Sequence, residues 1–135
     1  MALRSLAALL AAAAAIAGCG SSPDEDAVKT AALAFFAGAR NPTPKLCDVL
    51  SAEFLRVRTG SEGAKALARC RQSAEKARGK VNDRIPANVE ITKVTIDGRT
   101  ATAEAQAAGQ RAAILRMVKE RGEWKVDGER DASAP

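Results

Sequence analysis

The chain has 135 residues, enough for one domain, and a formal net charge of +5 from 21 Lys and Arg against 16 Asp and Glu. It contains no His and no Tyr. That excludes a histidine-based catalytic triad, a His-ligated metal and a histidine pH switch. Its charged and apolar fractions, 27% and 47%, are those of a folded protein and exclude wholesale disorder.

The first 18 residues have the layout of an export signal. Arg4 supplies the positive start, and Leu6 to Ala17 is an uncharged apolar run of 12 residues. Twelve helical residues span about 18 Å, short of a ~30 Å hydrocarbon core, so a permanent transmembrane helix is disfavoured. The run ends in Ile16-Ala17-Gly18-Cys19. This tetrad resembles the lipobox of bacterial lipoproteins, an aliphatic residue and two small residues before a cysteine. The resemblance implies that the Cys19 thiol takes diacylglycerol and that a lipoprotein signal peptidase cuts before Cys19. It also implies a new N-terminus that can be acylated. Two or more acyl chains hold a protein stably on a membrane, whereas one holds it marginally. Only Arg4 is charged before Cys19, so the mature chain keeps a net +4.

Gly20-Ser21-Ser22 is a tether that reaches about 10 Å when extended. The expected division is a signal peptide at 1–18, a lipidated tether at 19–23, one domain at 24–128 and a flexible tail at 129–135. Ser22-Pro23-Asp24-Glu25 predicts a helix start, with Ser22 as cap, Pro23 at the first position and Glu25 completing a capping box. Asp24, Glu25 and Asp26 suit the positive end of the helix dipole better than a metal site. Val28, Ala31, Ala32, Phe35 and Phe36 recur at helical spacing and are expected to face inward. Gly38 and Asn41-Pro42 close this helix near Arg40.

Thr43-Pro44 predicts a second helix with Leu46, Cys47, Leu50 and Phe54 on one face, which Ser51 can re-cap and split in two. After Thr59-Gly60-Ser61, residues 62–78 read as a third helix with Leu67, Cys70, Ala74 and Ala77 on an apolar stripe. Arg69, Arg71, Lys76, Arg78 and Lys80 read as its wet side. A nucleic-acid partner is not expected, because neither interleaved aromatics nor a base-reading element accompanies these cations. With Cys19 assigned to lipid, Cys47 and Cys70 form an even remainder in an exported chain, which predicts one disulfide. Two buried free thiols are the other reading. A redox-active pair is disfavoured because no Cys-x-x-Cys motif is present.

Residues 82–87 carry Asn, Asp and Pro and mark the crossing to strands. Val89 and Ile91 share one parity and Val94 and Ile96 the other, which predicts a bulge near Thr92-Lys93. Asp97-Gly98 predicts a tight hairpin. Thr100, Thr102, Glu104 and Gln106 alternate with Ala101, Ala103, Ala105 and Ala107. Gly109-Gln110 turns the chain. Ala113, Leu115 and Met117 face one way, with Ile114, Arg116 and Val118 opposite. Arg121-Gly122 turns again into a short strand, Glu123-Trp124-Lys125-Val126. Tight turns between four strands require an antiparallel meander, and helices before strands give an α+β domain.

Three helices followed by a curved four-stranded antiparallel meander resemble the nuclear transport factor 2-like superfamily. The residues that carry the resemblance are the hairpin over residues 94–102 and the closing Arg121-Gly-Glu-Trp-Lys-Val-Asp127 strand. The chain is most similar to small exported bacterial lipoproteins of that fold, which carry cysteines where Cys47 and Cys70 stand. The resemblance implies a cone with a cavity between sheet and helices, with Phe35, Phe36, Phe54, Met117 and Trp124 as pocket walls. The same residues equally fit a filled core. Enzymes of the family use an Asp base with Tyr donors or an Asp-His pair, and this chain lacks both Tyr and His. Glu104 and Arg116, the charged residues within regular strand patterns, read as solvent-facing on a one-sided sheet.

The expected protein is therefore a lipid-anchored domain of the cell envelope, facing outside the cytoplasm. It is expected to be non-enzymatic, without metal or cofactor, and to bind an envelope protein or a small apolar ligand. A cone-fold enzyme, or a carrier of lipid or another apolar ligand, is the alternative.

Overall fold

The computed structural model describes residues 22–132. The helical half contains α1 (Pro23–Arg40), a 3-10 helix (Pro44–Val49), α2 (Ala52–Thr59) and α3 (Gly63–Lys76). The strand half contains β1 (Glu90–Asp97), β2 (Thr100–Gln106), β3 (Ala113–Glu120) and β4 (Glu123–Asp131). The strands form one antiparallel sheet in the order β1-β2-β3-β4. This is the α+β meander expected from the alternation.

Local chemistry sets the helix ends. The Ser22 hydroxyl accepts the Glu25 backbone N–H at 3.1 Å, and Pro23 occupies the first helical position. The Glu25 carboxylate pairs forward with Lys29 at 3.3 Å. Gly38 does not end α1. It lets Leu46 approach, since a Cβ there would stand 2.9 Å from the Leu46 Cβ. The second helical region is split at Ser51, with its first half wound as a 3-10 helix. Thr43 makes no side-chain cap there, whereas the Ser51 hydroxyl caps α2 by accepting the Phe54 N–H at 3.0 Å.

The strand pattern is realised in detail. The register shift in β1 falls between Ile91 and Lys93. The first hairpin pairs Asp97 with Thr100, so its loop is Gly98-Arg99, one residue later than expected, with positive φ at Gly98. Ala101, Ala103 and Ala105 are buried beside Leu115 and Met117. β4 does not stop at Val126. A bulge at Asp127 shifts the register, and pairing with β3 continues to Asp131. Residues 129–131, expected in a tail, are therefore strand.

Helix α1 lies across the inner face of the sheet, burying Val28, Ala31, Ala32, Phe35 and Phe36. The 3-10 helix and α2 cover the β4 side, and α3 packs outside them. Leu50 forms a parallel bridge to Val126, and the Ser51 N–H donates to the Val126 carbonyl at 2.9 Å. A short strap thus begins a fifth strand position on the β4 edge before α2 turns away. Cys47 and Cys70 are disulfide-bonded, linking the 3-10 helix to α3.

Candidate functional site

The five residues expected to wall a pocket gather in one apolar cluster, four of them as core and Phe54 packed against it. Phe35, Phe36, Met117 and Trp124 are 7%, 7%, 0% and 5% exposed and belong to the core. Leu115 and Val126, both fully buried, fill the space between them. Ala101, Ala103 and Ala105 of β2 pack in one core with the large side chains of α1 and β3. Phe54 opens onto a large cleft, and Phe36 onto two smaller hollows. The Phe54 ring meets Phe35 edge-on at 6.1 Å, and the Arg58 guanidinium lies 5.2 Å over its centre.

That cleft, of about 620 Å³, is bounded by Phe54, Val57 and Arg58 of α2 and by residues 111–113, Arg116 and 127–131 of the sheet. A smaller hollow of about 130 Å³ adjoins it, walled by Phe36, Ile85, Val89, Ala105 and Ala113. Arg111, Ala113 and Glu129 are common to both. Together they form the mouth between α1, α2 and the far end of the sheet. Sequence periodicity pointed to Phe54 but missed Val57, Arg58, Glu129 and Arg130. The strand containing the last two has no apolar alternation to mark it.

The charges around the mouth are partly neutralised. Arg116 donates to Asp127 at 3.1 Å, and Arg111 stands 3.6 Å from Asp131. Asp127, at the bulge, also accepts the Ser51 hydroxyl at 2.5 Å. Arg116 and Glu104 both sit on the outer face of the sheet, opposite Thr102 and Ile114 respectively. Among the described residues, Arg58, Arg130 and Glu129 have no ion-pair partner.

A third cleft, of about 760 Å³, lies at the opposite end, between Leu50, Leu55, Leu67 and the β3–β4 turn. It is larger, but among the described residues most of its charged groups, Arg121 excepted, are occupied within the protein. Glu120 accepts the Ala52 N–H at 3.1 Å, Asp48 pairs with Arg71 at 2.8 Å, and Lys125 pairs with Glu123 at 2.9 Å. Lys125 also donates to the Asp48 carbonyl. The mouth, with charges still available, is the better candidate.

No family model matches the chain, and no curated protein is similar to it. Among solved structures, it is similar to an NTF-2 like protein of unknown function from Silicibacter pomeroyi DSS-3. Identity is 12% and the TM-score is 0.49, over 77% of this chain and 90% of that one.

The other end of the molecule is defined by Asp24. Its Oδ1 accepts the Trp124 indole N–H at 3.0 Å and the Lys119 ammonium at 3.0 Å. The indole bond, followed by the Lys119 bond and charge, holds the Asp24 carboxyl below its usual range. The start of α1 is thereby pinned beside the β3–β4 turn. The lipobox and Cys19 lie outside the described residues. Among the described residues, no helix is long and apolar enough to cross a membrane, and no acidic or cysteine cluster could hold a metal ion.

Proposed function

We propose that this chain is a lipid-anchored interaction domain of the bacterial cell envelope, with a nuclear transport factor 2-like fold, that presents its mouth to a partner in the aqueous phase. The observation that carries this reading is polarity along the sheet. Asp24, two residues after Ser22, is held at the β3–β4 turn, whereas the mouth lies at the β2–β3 end. From Glu123 to Asp131 β4 spans roughly 25 Å at the usual rise per residue. An anchor at Cys19, joined through a tether of about 10 Å, would hold the turn near the headgroups and the mouth away from them.

The filled interior favours interaction over the alternatives. A carrier needs room for an apolar ligand, and a carboxylate enzyme of this fold needs an acid inside the cone. Leu115, Met117 and Val126 take that room, and the buried polar side chain among the described residues is Ser51.

The test is fractionation of cells expressing the wild type and Cys19→Ala. The wild type is expected in the membrane fraction as a lipid-modified species. The variant is expected to lose the lipid mass and its Cys19-dependent processing. A wild-type chain of unmodified mass, released to the soluble fraction, defeats the reading.

A further inference from the structure

The strap on β4 stops short. Leu50 and Ser51 occupy the neighbouring strand position only at Val126, and then the chain rises into α2. Beyond that point the same position is the cleft of about 620 Å³. The Ala132 N–H donates to the Ala112 carbonyl at 3.0 Å, and Arg130 pairs with Ile114 two residues back. Antiparallel alternation then points the Glu129 N–H and carbonyl away from β3, into the cleft. Facing them is Val57, a large apolar side chain left 67% exposed.

A second copy is a poor occupant of this edge. Extending the sheet about a two-fold axis sets residues of equal parity opposite one another. That puts Glu129 against its own copy, or Arg130 against its own copy with Glu129 against Asp131. Both registers oppose like charges. The edge is guarded against itself but open to a strand of complementary charge.

We infer that the β4 edge at Glu129 and Arg130, with Phe54 and Val57 of α2, docks an extended segment of a partner protein in which acidic and apolar residues alternate. This rests on the interaction reading above and names the partner's chemistry. The segment continues the strand position begun by Leu50. Its backbone pairs with Glu129, its acidic side chains lie on the sheet face of Arg130, and its apolar ones turn toward Val57. Arg58 and Arg130, which lack acidic partners within the described residues, supply the charge complementarity.

The probe is a synthetic Glu-Val-Glu-Val-Glu-Val peptide carrying a photo-activatable group, offered to the mature lipidated protein in detergent. A Lys-Val peptide of the same length is the control. The acidic peptide is expected to crosslink to residues 54–58 and 128–131 and to bind at least tenfold tighter than the control. Arg130→Glu is expected to reverse that preference. Glu129→Pro removes an edge N–H that β3 does not use, and is expected to weaken binding tenfold at an unchanged melting temperature. Should Glu129→Pro fail to fold, Arg130→Glu decides. Equal binding of the two peptides, crosslinks elsewhere, or unchanged preference in Arg130→Glu overturns the inference. So does a dimer that Arg130→Glu dissolves, because it assigns the edge to a second copy. If peptide binding fails while wild-type membrane anchoring holds, the groove is wrong and the envelope reading survives.

Discussion

Ser51 is fully buried, and its hydroxyl serves two neighbours at once. It accepts the Phe54 N–H to start α2 and donates to Asp127 at the β4 bulge. Ser51→Ala removes a helix cap and one partner of a charged group. It is expected to cost about 1–3 kcal/mol, read as a lowered denaturant midpoint. A midpoint equal to the wild type would show that water replaces both bonds. Asp24 gives a pH-dependent counterpart. Its folded pKa lies below its ordinary value of 3.8, so its contribution is complete above that value and is lost as the pH falls through the folded value. Asp24→Asn is expected to lower the melting temperature at pH 6 and to flatten its decline between pH 6 and pH 3. Parallel curves for the two proteins would reject the assignment. The sequence announced both residues as helix caps or first-turn acids. It did not announce Asp127 or Trp124, because each lies at least 76 positions away and only the folded register brings them close.

At the scale of elements, periodicity was informative wherever one face is buried. The alternating alanines of β2, the bulge at Thr92 and the inward face of α1 were all readable, because burial imposes a period of two or 3.6. The last stretch of β4 was not readable. Gly128-Glu129-Arg130-Asp131 has no apolar member, and its strand conformation comes from the ladder with β3. A Cβ at Gly128 would stand 3.0 Å from the Arg116 guanidinium, the flexible end of an exposed side chain. The 3-10 winding of residues 44–49 was likewise hidden, because Thr43-Pro44 starts either kind of helix. The disulfide acts at this scale. Cys47 and Cys70 are 23 residues apart, and closing such a loop is worth about 3 kcal/mol in the chain-entropy model. Replacing both with Ser is expected to cost about that much. Amide exchange should then speed up first in α3, the helix packed farthest from the sheet. Uniform acceleration across α1 and the strands would argue that α3 has no separate opening.

At the scale of the molecule, the domain has two ends with different chemistry. One end is tied by Asp24, Lys119 and Trp124, which bind one another. The other carries the mouth, with Arg58, Arg130 and Glu129 available. The antiparallel order of the sheet was legible from turn residues such as Arg121-Gly122. The place of the mouth was not, since that depends on where α2 leaves the β4 edge. The covalent link between the 3-10 helix and α3 also sets a schedule. Thiols stay reduced in the cytosol and pair in oxidising compartments. A chain exported through a narrow channel would thus travel without its cross-link. On the proposed envelope location, it would gain about 3 kcal/mol of its stability only after arrival, so that maturation and location would become the same event.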